Sequence, residues 1–293
     1  MNVTRVELPC GVPPQLPSGR RVELPGRGTT FVRDLAGPPG APTVVLLHGL
    51  LATADLNWSG CYAALGEHFR VVALDHRGHG RGVRSRGRFR LEDCADDVVA
   101  VADVLGLRTF VAVGYSMGGP IAQLVWHRHP DRVDGLVLCA TGRNFRRHPR
   151  QRFRFDVLGA VGLAVRLMPR VVWRRLVEPV VARRVGGDAE AEWRWSEFRR
   201  NDPVKIIEAA QALGHFTSHD WIGEVDVPTA IVVTRHDRLV PAERQRKLAV
   251  AVPGATVHEL DGDHAVGVRE PVRFVPVLVD ACLDVTRRVR AGV

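Results

Sequence analysis

The segment Gly114-Tyr115-Ser116-Met117-Gly118-Gly119 sets a hydroxyl side chain among small residues. The apolar run before it, 109 to 115, reads as a strand, and 118 to 128 reads as a helix. Glycines at 114 and 118 let the chain reverse sharply without a side-chain collision. Ser116 would then project from the crest of a sheet, beside the free amides of a helix N-terminus that favour developing negative charge. That is a setting for a nucleophile. A serine hydroxyl at its ordinary pKa attacks poorly, so the reading requires a base and an acid that orients the base. His264 stands in GDHA after the strand pattern at 256 to 260, and Asp237 stands in TRHDRLVP after the strand pattern at 229 to 234. The expected set is therefore Ser116 as nucleophile, His264 as general base and Asp237 as orienting acid. Asp261 and Asp263 lie nearer to His264 in sequence, but turn capping is the simpler role for both. The segment LCATG at 138 to 142, which ends the preceding core strand, offers no rival acid.

A tetrahedral intermediate on Ser116 needs amide donors for its oxyanion. Met117 supplies one main-chain N–H in this reading. The other is expected from the loop after His48-Gly49, at Leu50, with Leu51 as the lesser candidate. His48 is read as organising that loop. In DHRGHGRG at 75 to 82, Asp75, His76 and His79 superficially suggest a metal site, but local hydrogen bonding in a compact loop accounts for them. No metal and no cofactor are expected.

These residues must be held by a framework, and the rest of the chain supplies its pattern. After a Pro- and Gly-rich lead-in, RRVEL at 20 to 24 and TTFVRDL at 29 to 35 form an expected hairpin around PGRG. TVVLLH at 43 to 48 is nearly continuous in apolar residues, as suits a strand buried on both faces of a parallel sheet. Helix (57 to 68), strand (70 to 75), helix (91 to 106), strand (109 to 115), helix (118 to 128) and strand (133 to 139) then alternate, the signature of βαβ units. The rhythm stops between 143 and 222. It resumes with the strand at 229 to 234, a helix near 242 to 251, the strand at 256 to 260 and a helix beginning near 271. One α/β core, residues 1 to 142 and 223 to 293, with an inserted helical cap at 143 to 222, explains this order. Within the cap, helices are expected at 154 to 168 and 170 to 185, with Arg166, Arg170 and Arg174 on one face. Trp173, Trp193, Trp195 and Trp221 are read first as packing residues.

A formal charge of +9 is concentrated rather than spread: residues 143 to 200 hold fifteen arginines, no lysine and six acidic residues. Such a field can attract an acidic substrate, nucleic acid or an anionic membrane surface. No helix-turn-helix, zinc-finger or aromatic nucleic-acid pattern accompanies it, so a nucleic-acid partner is not expected. Peripheral contact with anionic lipid is the membrane association that the segment would fit. No signal-peptide pattern and no span of 18 apolar residues occurs, so a cytoplasmic protein is expected. Cys10, Cys61, Cys94, Cys139 and Cys282 are widely separated and match neither a disulfide framework nor a zinc site.

LLHGL at 46 to 50, LDHRGHGRG at 74 to 82, GYSMGG at 114 to 119, RHDRLVP at 235 to 241 and GDHAV at 262 to 266 together resemble the α/β-hydrolase-fold enzymes. The similarity is to the capped esterase, lipase and perhydrolase-like group and runs over about residues 22 to 285. It implies a mostly parallel sheet flanked by helices. It assigns nucleophile, acid and base to Ser116, Asp237 and His264 and the oxyanion amides to Leu50 and Met117. Serine at 116 departs from the aspartate nucleophile of the dehalogenase and epoxide-hydrolase members. The expected reaction is hydrolysis of a small or medium, largely apolar carboxylic ester through an acyl-enzyme. Acyl transfer, thioester hydrolysis and carbon-carbon cleavage would use the same residues, and a noncatalytic binding protein on this fold is the reading from another class.

Overall fold

The computed structural model describes residues 16–145 and 189–292. An antiparallel hairpin comes first, β1 (Gly19–Leu24) against β2 (Gly28–Leu35), turned by Gly26 and Gly28 at φ of 71° and 111°. The later strands are β3 (Thr43–Leu47), β4 (Arg70–Leu74), β5 (Phe110–Tyr115), β6 (Val133–Cys139), β7 (Thr229–Thr234) and β8 (Thr256–Leu260). They form one eight-stranded sheet in the order β1-β2-β4-β3-β5-β6-β7-β8. β2 pairs antiparallel with β4, and the pairings from β4 across to β8 are parallel.

Continuous apolar strands follow from burial on both faces. Val45 and Leu47 of β3 pack with Val72, Leu136 and Ile121 on one side of the sheet, whereas Val44 and Leu46 pack with Val71, Val137 and Phe274 on the other. Each such side chain stabilises the fold by roughly 1.5–3 kcal/mol when fully buried. A charge at Leu46, which is 0% exposed, would have no partner there. The outer strand β8 alternates instead, as an edge strand does.

Helices cover both faces: α1 (Ala54–Trp58), α2 (Tyr62–Gly66), α3 (Leu91–Val104) and α4 (Gly118–Arg128) before the insertion, and α5 (Ala189–Phe198) and α6 (Pro203–His215) within it. α7 (Ala242–Ala251), α8 (Val266–Arg269) and α9 (Pro271–Ala291) follow. The helix expected at 57 to 68 is instead the pair α1 and α2. Thr53 caps α1 early by accepting from the Leu56 amide at 3.0 Å. The break falls at Ser59 and Gly60, and a Cβ at Gly60 would lie 2.6 Å from Pro271.

The chain runs from β3 outward to β4 and then crosses back to β5 on the other side of β3. Loops leaving the C-terminal ends of β3 and β5 therefore flank a crevice, the place where open α/β sheets build their sites. Between β6 and β7 the chain leaves the sheet for the helical cap insertion, of which α5 and α6 are described. The helices expected at 154 to 168 and 170 to 185, with Trp173 and their arginine row, lie outside the described residues, as does Cys10. Trp195 stacks on Phe198, and Trp221 stacks on His127 with ring centroids 4.2 Å apart. No helix among the described residues is long and apolar enough to cross a membrane.

Candidate active site

Ser116 sits between β5 and α4 with φ of 52°, a left-handed conformation that side chains avoid unless surroundings impose it. Its neighbours impose it. The Ser116 amide donates to Cys139 O at 2.9 Å, and its carbonyl accepts from Thr141 Oγ1 at 2.8 Å and from the Gly119 amide at 3.0 Å. The glycines are sterically required: a Cβ at Gly114 would lie 2.2 Å from Gly118 O, and one at Gly118 would lie 2.0 Å from Leu47 O. This tight approach brings the start of α4 against the end of β3.

His264 lies in the turn between β8 and α8. Its Nε2 is 2.9 Å from Ser116 Oγ, and its Nδ1 is 2.6 Å from Asp237 Oδ2. Because Asp237 accepts from Nδ1–H, Nε2 carries the lone pair that receives the serine proton. The structure thus brings Ser116, His264 and Asp237 into one hydrogen-bonded chain from three separate strand ends. The Asp237 side chain is fully buried. Its Oδ1 accepts from the Leu239 and Val240 amides, both at 2.8 Å, and its Oδ2 accepts from Thr234 Oγ1 at 3.0 Å. Gln245, 0% exposed on α7, adds a longer contact from Nε2 to Oδ2 at 3.3 Å while also bonding Thr234 and Val240. Asp261 pairs with His236, and Asp263 caps the Ala265 amide, so neither faces the imidazole at Nδ1.

Tyr115 fixes the same histidine from the other side. Its hydroxyl donates to His264 O at 2.8 Å, and burial pushes its pKa well up, so the hydroxyl keeps its proton. Sequence reasoning passed over Tyr115, Thr234 and Gln245. Tyr115 lies inside the glycine-flanked motif, but nothing in a one-dimensional pattern says where its hydroxyl points.

The loop after β3 passes beside the nucleophile: a Cβ at Gly49 would lie 3.3 Å from Ser116 Cβ. The Gly49 amide donates to Asn57 Oδ1 at 2.9 Å. Leu50 comes next in this loop, and Met117, directly after Ser116, opens α4. His48 does organise this loop: its Nδ1–H donates to Gly49 O at 2.8 Å and its Nε2 accepts from the His76 amide at 3.0 Å. His76 and His79 complete a buried imidazole cluster, with ring centroids 4.3 Å and 5.3 Å from His48. Burial lowers all three, His48 to about 4 and His79 to about 3. The rings are neutral near pH 7. Asp75 caps the Ala54 and Arg81 amides, each at 2.8 Å, so the segment 75 to 82 is the compact hydrogen-bonded loop expected.

Beneath it, Asp55 accepts from Arg33 and Arg81. Burial alone would raise this carboxyl, but the two guanidinium groups outweigh it and hold it below the ordinary range. Arg21, Arg81, Arg84 and Arg200 line a surface cleft of about 480 Å³ to which the Ser116 chain does not contribute. Cys61, Cys94, Cys139 and Cys282 are buried free thiols, and burial pushes Cys61 up to about 12.

Residues 42–271 match the alpha/beta hydrolase fold family, and the chain belongs to it. It is a hydrolytic enzyme of that superfamily. Among curated relatives, a RutD protein of Agrobacterium fabrum, provisionally named a carbamate hydrolase, is 30% identical over 240 residues, covering 80% of this chain and 90% of its own. An enol-lactonase from Burkholderia xenovorans has a TM-score of 0.70 at 25% identity, spanning 90% of this chain and 100% of its own. An esterase from Exiguobacterium antarcticum reaches 0.75 at 20% identity over 90% and 98%, a likeness of fold alone.

Proposed function

We propose that the protein is a serine hydrolase of small or medium, largely apolar carboxylic esters, working through an acyl-enzyme. The observation that carries this reading is the hydrogen-bonded chain from Ser116 Oγ through His264 to Asp237. Ser116 attacks the carbonyl carbon as His264 Nε2 takes its proton, and Asp237 stabilises the resulting imidazolium through Nδ1–H. The Leu50 and Met117 amides bind the oxyanion. His264 then protonates the departing alcohol as the tetrahedral centre collapses to the acyl-enzyme. Water enters, Nε2 takes its proton, and hydroxide adds to the acyl carbon. Collapse expels Ser116 Oγ, which recovers the proton, and the acid leaves. Each step conserves protons between serine, histidine, alcohol and water, so no cofactor is called for.

Cyclic esters and carbamates present the same acyl carbon to the same nucleophile. The relatives named for a lactone and a carbamate make these two the next substrates to try. The cap, which we take as residues 143 to 222, governs which acyl and alcohol groups reach Ser116. Its Leu, Val and Trp content favours apolar ones. The buried, unpaired thiols accord with a cytoplasmic setting.

The test is a kinetic panel of p-nitrophenyl esters of increasing chain length, with a lactone and an aryl carbamate, run on the wild type and on Ser116→Ala. Saturable turnover of short or medium esters that falls by at least about 10³-fold in the variant is expected. Equal activity in the two proteins would exclude Ser116 as the nucleophile.

A further inference from the structure

Residues 49 to 53 link β3 to α1 and hold Leu50, whose amide the proposed mechanism aims at the oxyanion. The core holds the start of this loop through the Gly49 amide on Asn57 and His48 Nδ1–H on Gly49 O, its turn through the Ala52 amide on Gly49 O at 3.3 Å, and its end through the Leu56 amide on Thr53 Oγ1. The outer carbonyl of the turn, Leu51 O, is held by the cap. At the corner between α5 and α6, Asn201 Nδ2 donates to Leu51 O at 3.0 Å, and Asn201 Oδ1 accepts from the Gly80 amide at 2.8 Å. One turn earlier Glu197, 3% exposed, accepts from Thr53 Oγ1 at 3.0 Å and is itself held by Arg200 Nε at 2.8 Å. The Asp202 amide donates to Gly78 O at 2.9 Å. The corner is thereby fastened to two core loops at once.

Leu51 shows why this fastening has consequences. Its φ is 68°, in the left-handed region, where a side chain with a Cβ costs on the order of 1–2 kcal/mol. Local preference therefore works against the loop's shape, and outside contacts must hold it. The Leu50 amide lies between two anchors, Gly49 N on Asn57 and Leu51 O on Asn201. Releasing the second lets the 50–51 segment relax toward negative φ and turn the Leu50 amide away from the oxyanion position that the proposed mechanism gives it.

We propose that Asn201 is a positioning residue for the oxyanion site, so that docking of the cap corner assembles the Leu50 donor next to Ser116. The cap then acts on the rate of the chemical step as well as on substrate choice. This rests on the serine-hydrolase reading and on Leu50 as a donor.

Asn201→Asp isolates the contact, because a carboxylate still accepts from Gly80 but cannot donate to Leu51 O. The experiment compares wild type and Asn201→Asp for kcat and KM on a short ester. It also measures inhibition by an alkyl boronic acid, whose tetrahedral serine adduct places an oxygen where the oxyanion forms. Expected are a fall in kcat of roughly 10- to 100-fold, a KM within about twofold, and an inhibition constant weakened by about the same factor as kcat. A merely structural lesion would lower the active fraction without weakening the boronic acid in the molecules that remain active. Should the aspartate variant not fold, Asn201→Ala, which removes the same donor to Leu51 O, carries the same expectation, and adding Leu51→Gly, which relieves the left-handed strain, should recover part of the loss. Unchanged boronic-acid inhibition in a folded variant overturns the proposal alone. A wild type that the boronic acid leaves uninhibited overturns the serine reading and this proposal with it.

Discussion

Replacing His79 by Phe removes one titrating ring from the buried imidazole cluster, and the consequence for stability can be worked from the structure. Burial holds His79 at about 3 and His48 at about 4, against about 6.5 in an unfolded chain. A folded-state pKa lowered in this way means that the unfolded chain binds more protons on acidification. The associated stability is complete above pH 6.5 and is lost as pH falls from 6.5 through the folded values. Between pH 8 and pH 5 each of these two rings accounts for about 2 kcal/mol of lost stability. His76, lowered in the same direction and with neither ring nitrogen partnered among the described residues, adds to the loss. Asp75 works the opposite way because burial raises it, but it is common to both proteins. Phe at 79 keeps the edge contact with Phe89 and loses the bond from Nδ1 to Arg77 O, a cost that does not vary with pH. The assay is urea unfolding of wild type and His79→Phe at pH 8 and pH 5. The wild type should lose about 4 kcal/mol or more between the two, and the variant about 2 kcal/mol less than the wild type. Identical pH losses in the two proteins would refute the assignment of a depressed, buried His79.

Two further substitutions probe the framework. Gly118→Ala would set a methyl 2.0 Å from Leu47 O, a main-chain atom of the central strand β3. A destabilisation of at least about 3 kcal/mol is expected in thermal melts, and a melting temperature like the wild type's would contradict the close approach of α4 to β3. Gln245→Leu leaves the Thr234 amide and Val240 O without their buried partner. Urea unfolding should then require about 2–4 kcal/mol less, with KM unchanged and kcat lowered only a few-fold, because Asp237 loses the 3.3 Å contact from Gln245 but keeps its bonds from Thr234, Leu239, Val240 and His264.

Much of this architecture can be read from the chain because its strands are buried on both faces. Continuous apolar runs such as TVVLL and TAIVVT then stand out against polar loops. The bend at Ser116 is legible for a steric reason: Gly114 and Gly118 leave room that no other residue would. Legibility fails where a role depends on tertiary neighbours. Ser59-Gly60 divides the helix expected at 57 to 68 because Pro271, two hundred residues away, packs against Gly60. Gln245 reads as an ordinary polar helix residue, and only the fold turns it inward to Thr234 and Asp237. Asn201 is likewise an unremarkable loop residue until the cap corner meets Leu51.

The central claim is that Ser116 is the group activated by His264. Reaction with a fluorophosphonate followed by intact-mass and peptide mapping tests it most directly, since the reagent traps a serine only where a base and oxyanion donors surround it. A single phosphonyl adduct on Ser116, absent from Ser116→Ala and strongly slowed in His264→Ala, is the predicted result. No adduct, or one on another residue at the same rate in all three proteins, would contradict the account.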